Sequence, residues 1–372
     1  MHYCQQCVIP DTRPNIRLDA SGVCNACRTH ATKDEIDWFS RADAFRHVAE
    51  GARQRARSHD CVIPVSGGKD SIWQVVKCLE HDLVPLAVTW KTPGRTPLGQ
   101  HNLDALVRLG VDHIDYTIDP GTESRFMYRA LCEAGSTAVP MHMAIFSIPL
   151  TIAVLRSISL IVWGENSAFE YGSAEAQHEG MLLDDEWLRH YGVTHGTTAE
   201  DWLDESLTRK KMSAYFGPGA RELQTHGIRA VFLGYYFRWD PEESLRVATE
   251  VGFRKSDERP RTGYWDYADV DCSHIAVHHY LKWYKFGFTR IFDNLSVDIR
   301  NGRITRDEAI ERIREAGDQT PHRDIRSACE FMGISEQHFY EVIERFRNRD
   351  IWHFGGGAWR LPGFLIDDWD WK

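Results

Sequence analysis

The chain has 372 residues, of which 42% are hydrophobic and 26% charged, and its formal net charge is −10. This length predicts two or three domains with well-buried cores, and the apolar content excludes an intrinsically disordered chain. The acidic balance argues against a broad nucleic-acid surface. Since no apolar run is continuous enough to span a membrane and no apolar leader follows Met1, we expect a cytoplasmic protein without membrane insertion.

The N-terminal segment carries two Cys-x-x-Cys pairs, Cys4 with Cys7 and Cys24 with Cys27. Their spacing is typical of a four-thiolate zinc site that holds a small ribbon together. Disulfides or a redox pair are the alternatives, but the remaining cysteines are scattered, as expected of reduced cytosolic thiols. Four protein ligands leave no open coordination position, so we predict structural Zn²⁺ in a ribbon over residues 1–32.

Residues 33–57 are rich in charge and predict a linking helix. From residue 58 to residue 236, apolar strands alternate with helical patterns. This alternation predicts an α/β domain built on a doubly wound, parallel, five-stranded sheet with helices on both faces. The candidate strands are residues 61–65, 84–90, 113–117, 160–163 and 230–233. The candidate helices are residues 72–81, 102–109, 123–133, 144–157 and 199–215.

The first predicted strand leads directly into residues 66–71, Ser-Gly-Gly-Lys-Asp-Ser, and a helical pattern follows. A glycine loop before a helix N-terminus forms an anion cradle, because unpaired N–H groups and the positive helix end face the ligand. Lys69 adds a positive charge, and Asp70 can hold Mg²⁺. The pattern is not a Walker loop, which requires a different glycine spacing. An ordinary glycine turn that caps a helix is the simplest alternative.

From residue 237 the alternation stops, and residues 237–372 predict a mainly helical domain for substrate or partner. Thr305 and Glu308 form a capping-box pattern, and Gly317 is the matching helix stop. Other helical patterns begin near residue 240 and cover residues 273–286 and 335–347.

Several of these segments, in this order, resemble the N-acetyl sugar amidotransferases of bacterial surface-polysaccharide (LPS O-antigen) synthesis. Residues 66–71 alone resemble the PP-loop of ATP pyrophosphatases, which implies an adenine nucleotide alpha-hydrolase fold. The other segments are Cys7-Val-Ile-Pro-Asp-Thr-Arg-Pro14, Gly22-Val-Cys-Asn-Ala-Cys27, residues 164–172, Tyr235-Tyr-Phe-Arg-Trp-Asp240 and Lys285-Phe-Gly-Phe-Thr-Arg290.

The resemblance implies that ATP adenylylates the N-acetyl oxygen of a nucleotide-activated sugar, and that ammonia then displaces AMP to leave an acetamidino group. Pyrophosphate is the other product. Lys69 would neutralise charge at phosphorus, and Asp70 would ligate Mg²⁺ or fix the loop, which makes these two the predicted catalytic residues. The β- and γ-phosphates would be held by Ser66, Gly67, Gly68 and Ser71.

Residues after the fourth predicted strand are the next candidates, since ligands of such sheets bind at the carboxyl ends of strands. We predict that Gly164 contacts the nucleotide and that Glu165 and Asn166 contact the substrate. Glu170 and Tyr171 are further candidate sugar contacts, with a polar turn as the alternative. By resemblance, Asn102 is a weaker candidate for the adenine side.

No glutaminase nucleophile is recognisable, because residue 2 is His and no cysteine lies in a Gly-x-Cys-x-Gly elbow. The resemblance implies that ammonia comes from a glutaminase subunit with a barrel-shaped partner, and a homo-oligomer is also open. The competing interpretation is a tRNA-thiolating PP-loop enzyme, some of which carry similar zinc knuckles. Those enzymes generally need catalytic or cluster-binding cysteines inside the ATPase domain. Here Cys61, Cys78 and Cys132 are widely spaced and form no Cys-x-x-Cys pair.

Overall fold

The computed structural model describes residues 1–172, 194–258 and 260–371. Its strands are β1 Cys61–Pro64, β2 Pro85–Trp90, β3 Asp112–Tyr116, β4 Leu160–Trp163, β5 Arg229–Phe232, β6 His353–Gly355 and β7 Ala358–Arg360. The helices up to residue 172 are α1 Asn25–Ala31, α2 Trp38–Arg55, α3 Lys69–Glu80, α4 Pro97–Val107, α5 Pro120–Ala134, α6 Val139–Arg156 and α7 Ser167–Tyr171. Helices described after residue 194 are Ala220–Thr225, Leu233–Tyr236, Pro241–Glu250, His274–Phe286, Arg290–Arg300, Arg306–Ala316, His322–Met332 and Glu336–Glu344.

In the described part of the chain, a parallel five-stranded sheet has the strand order β3-β2-β1-β4-β5. The chain therefore builds outward from β1 on one side and then returns to build the other side from β4. This order confirms the predicted doubly wound α/β fold, and each predicted strand overlaps the observed one almost completely. The carboxyl ends of β1 and β4 meet at the switch in strand order, which is where such sheets bind ligands.

Both faces of the sheet are covered, which explains why the central strands β1 and β4 are continuous apolar runs. Along β1, Cys61 and Ile63 face the core under α2, α3 and α4, while Val62 faces the core under α5 and α6. Helix α6 is long and apolar enough by composition to cross a membrane, but half of it is buried. It packs against β1, β2 and β4, as a core helix of the sheet does.

The N-terminal ribbon and the late helices share a third core. Val8 and Ile9 of the ribbon are buried in one cluster with Trp283, Phe292 and the other apolar residues of the C-terminal region. The predicted ribbon and the predicted helical character of the C-terminal region are thus both confirmed. The boundaries at residues 32, 57 and 236 stay predictions.

The sequence patterns for a capping box and a glycine stop predict the ends of one late helix correctly. Thr305 and Glu308 form the predicted capping box, and Gly317 ends that helix. The prediction of a helix over residues 199–215 is wrong. The chain there forms two short 3-10 helices, Ala199–Trp202 and Ser213–Tyr215. The Asp204 carboxylate accepts from two backbone N–H groups just after it, at 2.6 Å each, and so replaces the helical hydrogen bonds with a turn.

Residues 237–273 return to the sheet before the late helices begin. The helix Pro241–Glu250 packs on α3, and the N–H of Thr96 donates to the carbonyl of Asp271 at 3.0 Å. Asn102 is fully buried, and its amide bonds to the backbone N–H and carbonyl of Arg254, at 2.8 and 3.0 Å. Asn102 therefore fixes this returning segment, and its place on the adenine side stays a prediction.

Candidate active site

The loop after β1 has a shape that only glycine allows. Gly67 has φ +90°, and a Cβ atom at this position would lie 2.9 Å from the backbone nitrogen of Leu103 in α4. The loop thus passes against the backbone of a neighbouring helix, and this close approach leaves no room for a side chain at residue 67. Gly68 is the N-cap residue of α3, and no side chain caps this helix end.

The two serines of the loop hold its shape. The hydroxyl of Ser71 accepts from the N–H of Ser66 at 3.0 Å, and the hydroxyl of Ser66 accepts from the N–H of Gly68 at 3.2 Å. A serine hydroxyl that accepts still has its own proton to donate. The Ser66 hydroxyl bonds to the carboxylate of Asp271. The loop therefore presents the hydroxyl of Ser71 beside an uncapped helix N-terminus, as a phosphate cradle requires.

Lys69 is buried and enclosed. Its ammonium lies 2.7 and 2.8 Å from the carboxylate oxygens of Asp70, and 5.4 and 5.7 Å from the ring centroids of Trp239 and Tyr267. The indole of Trp239 also donates to Asp70 at 2.9 Å. The aromatic enclosure was not predicted, because Trp239 lies 169 residues from Asp70 and no motif links them.

The residues after β4 lie beside the loop, as predicted. Gly164 packs against α3 so closely that a Cβ atom would lie 2.5 Å from the side-chain nitrogen of Gln74. Burial raises the pKa of the Glu165 carboxyl to about 7, and the nearby Asp70 carboxylate adds to the effect. Asn166 is buried. The structure thus brings Lys69, Asp70 and Glu165 to one edge of the sheet.

Helix α7 carries the last two candidates in different surroundings. Glu170 is buried and accepts two hydrogen bonds from the ammonium of Lys33, at 2.6 and 2.8 Å, so its carboxylate already has a partner inside the chain. The ring of Tyr171 lies 5.7 Å from the guanidinium carbons of both Arg13 and Arg290. The sugar contact remains a prediction for both residues.

The four N-terminal cysteines form a cluster that could bind zinc. Their Sγ atoms all lie within 4.8 Å of one another, with separations of 4.0 Å for Cys4 and Cys27 and 3.8 Å for Cys7 and Cys24. A tetrahedron with metal–sulfur bonds of about 2.3 Å has edges of about 3.8 Å, so the four sulfurs fit Zn²⁺. Arg306 holds the first knuckle by donating to the carbonyls of Cys4 and Cys7.

Comparison with known proteins supports the family resemblance for the C-terminal region. Residues 258–362 match the family described as "LPS biosynthesis protein WbpG-like, C-terminal domain", which confirms the predicted relation to LPS biosynthesis. No curated protein matches the chain. Among solved structures, the chain is similar to the NMN synthetase from Francisella tularensis, with 13% identity and a TM-score of 0.35 over 75% of this chain and 92% of that chain. A TM-score this low adds nothing to the fold described above.

Proposed function

We propose that this chain, which carries a WbpG-like C-terminal domain, is an ATP-dependent amidotransferase of LPS biosynthesis. Its substrate would be a nucleotide-activated sugar, whose N-acetyl group it converts to an acetamidino group. The observation that carries the proposal is the loop of residues 66–71, in which the buried Lys69 is paired with Asp70, at the same sheet edge as Glu165. This arrangement offers a phosphate cradle and a proton acceptor side by side.

The first step would activate the amide. The carbonyl oxygen of the N-acetyl group attacks the α-phosphorus of ATP, an O–P bond forms, and the bond to pyrophosphate breaks. The loop would bind the β- and γ-phosphates through the N–H groups of Gly67 and Gly68 and the hydroxyls of Ser66 and Ser71. Lys69 would stabilise the charge that develops at phosphorus, since a buried cation acts strongly in a site of low dielectric.

The second step would introduce nitrogen. Ammonia attacks the carbon of the O-adenylyl imidate, a C–N bond forms, and AMP leaves with the former carbonyl oxygen. The attacking nitrogen must lose a proton, and Glu165 would accept it. A carboxyl whose pKa is about 7 is well suited to this role near neutral pH, because it gains and loses a proton with little cost.

Cofactors and partners complete the proposal. Asp70 would hold Mg²⁺ through its carboxylate, and the metal would neutralise phosphate charge. The cysteine cluster would hold structural Zn²⁺. Ammonia would come from a glutaminase subunit through a barrel-shaped partner in the cytoplasm, and purified chain that used glutamine as well as ammonium salts would contradict this.

Mass spectrometry of the sugar product tests the reaction class. The chain is incubated with ATP, heavy-nitrogen ammonium and UDP-linked diacetamido sugars, and tRNA serves as the competing substrate. We expect one sugar oxygen to be replaced by labelled NH, in equal amount to AMP. Unchanged sugar together with modified tRNA would support the thiolation alternative and overturn the proposal.

A further inference from the structure

A group of three cations surrounds one deeply buried carboxylate between the ribbon and the late helices. The carboxylate belongs to Asp293, which is 1% exposed. The Nε atom of Arg13 lies 2.7 Å from it, Nη1 of Arg290 lies 3.6 Å away, and Nζ of Lys282 lies 3.7 Å away. A second carboxylate, Asp269, lies 3.6 Å from Nε of Arg290. We call these five residues the Asp293 cluster.

The donors and acceptors of the cluster are incompletely paired with one another. Of the three cations only Arg13 is within hydrogen-bond distance of Asp293, because separations of 3.6 and 3.7 Å are too long. Among the described residues, Lys282 makes no hydrogen bond, and Nε of Arg290 is buried without a hydrogen-bond partner, although it lies 3.6 Å from Asp269. Lysine carries three donors and arginine five, so part of the donor capacity of both side chains is unused, although Arg290 also bonds to the Tyr171 hydroxyl. The Oδ2 atom of Asp293 is likewise without a hydrogen-bond partner.

The cluster also has surplus positive charge. Three cations, Arg13, Lys282 and Arg290, face the two carboxylates of Asp269 and Asp293. Burial lowers the pKa of Lys282 to about 8 despite the nearby Asp293, so the internal carboxylates do not fully compensate the cost of its burial. An oxyanion bound here would supply both the missing charge and the missing acceptors.

The cluster lies toward the candidate active site. Arg290 packs on the ring of Tyr171, and Arg13 donates to the carbonyl of Tyr171 at 3.2 Å. Burial raises the pKa of the Tyr171 hydroxyl, and Glu165 and Asp70 are among the charges that act on it. Tyr171 thus joins the loop side to the cluster. The four C-terminal members of the Asp293 cluster also fall inside the segment that matches the WbpG-like family. They are Asp269, Lys282, Arg290 and Asp293.

A groove elsewhere in the C-terminal region is a weaker candidate for an anionic ligand. It has a volume of about 1050 Å³ and an aromatic lining that includes Tyr264 and Trp265. However, six carboxylates line it against three arginines, and Arg303 is already paired with Asp240. Its charge therefore opposes a phosphate or carboxylate ligand.

We propose that Lys282 and Arg290 bind an oxyanion of the nucleotide-linked sugar, either its diphosphate or a sugar carboxylate. This inference rests on the proposed function, because it supplies the anchor that holds the N-acetyl group near the loop. The planar guanidinium of Arg290 can bind either group in a bidentate manner, and Lys282 adds a point charge. Arg13 orders the site from the ribbon through Asp293 and Tyr171.

Calorimetric binding without turnover tests the site with three probes: UDP, a UDP-linked diacetamido uronic acid and its neutral diacetamido analogue. We expect Lys282→Met to weaken binding roughly tenfold to a hundredfold and to raise the KM for the sugar while the KM for ATP and kcat change little. Lys282→Arg should restore much of the affinity. The matched control, Lys255→Met, removes an exposed lysine that pairs with Asp266 and should bind all three probes normally.

The three probes distinguish the two sources of the oxyanion. Loss of affinity for the uronic acid alone identifies the carboxylate, and loss for all three probes identifies the diphosphate. Zinc content and melting temperature establish that the variant is folded, and Arg290→Lys provides a second variant. Unchanged affinity of both folded variants for every probe would overturn the site, even if the sugar product forms. Lysine-dependent binding without any amidine product would instead overturn the proposed function and leave the site standing.

Discussion

The residue 66–71 loop and the Asp293 cluster differ in how closely their buried cations are paired with carboxylates. In the loop, Lys69 is held by the carboxylate of the next residue at 2.7 Å. In the cluster, Lys282 and Arg290 stay 3.6 to 3.7 Å from their carboxylates. A closely paired lysine can exchange its partner for phosphate when charge develops, whereas donors that lie beyond hydrogen-bond distance of their carboxylates can bond to a ligand without first losing a partner. The first arrangement suits chemistry and the second suits binding.

The largest effect should come from a substitution in the residue 66–71 loop. Lys69→Ala removes the cation next to the proposed α-phosphorus, so AMP formation should fall roughly a thousandfold. Zinc content should stay at the wild-type level, because the cysteine cluster is a separate element. Lys77→Ala, which removes a more exposed lysine of the same helix, should retain activity. Loss of zinc from the Lys69 variant would show that this residue acts on structure.

The next largest effect should come from a substitution in the N-terminal ribbon, which supplies Arg13 to the Asp293 cluster. Cys24→Ser removes one of four thiolates, so the chain should lose zinc and the ribbon should loosen. Arg13 and the Lys33–Glu170 pair would then no longer hold α7, and we expect AMP formation to fall at least about tenfold. Elemental analysis and turnover measure both effects, with Cys132→Ser as the control. A zinc-free variant with full activity would mean that the ribbon does not order the site.

Two glycines with nearly the same backbone angle have different surroundings. Gly67 and Gly110 have φ of +90° and +91°, but only Gly67 has backbone atoms where a Cβ would go. Gly110→Ala should cost only the backbone strain, about 1 to 3 kcal/mol. Gly67→Ala should cost more and should also raise the KM for ATP. Urea unfolding and nucleotide kinetics compare the two, and equal behaviour would argue against the close approach to α4.

The smallest effect concerns a buried acid outside both regions. Glu123 is 3% exposed, one carboxylate oxygen has no partner among the described residues, and burial raises its pKa from 4.5 to about 8. The protonated form stabilises the fold below the unfolded value of 4.5, and this stabilisation is lost as the pH rises through about 8.

The Glu123→Gln variant should therefore melt near the wild-type temperature at about pH 5 and above it at about pH 9. The exposed Glu133→Gln on the same helix should show no such crossover. Melting temperatures of both variants across this range give the answer, and parallel curves for Glu123→Gln and wild type would contradict a neutral buried carboxyl.

Features encoded over a few consecutive residues were predictable, and features assembled across the chain were not. The strands, the residue 66–71 loop and the cysteine pairs each carry a local pattern whose physical reason is visible in sequence. Trp239 over Lys69 and Arg13 on Asp293 are contacts between residues 169 or more positions apart, and no spacing rule predicts them. The false helix over residues 199–215 failed because the Asp204 side chain competed with the backbone for hydrogen bonds.

The proposed reaction requires that the amide oxygen of the sugar attacks the α-phosphorus of ATP held by the loop. The most direct measurement follows heavy oxygen from the N-acetyl group of a labelled sugar nucleotide through one turnover. We predict that AMP carries the label and that pyrophosphate is released unlabelled. Labelled orthophosphate with ADP, or unlabelled AMP formed together with the amidine, would contradict the account.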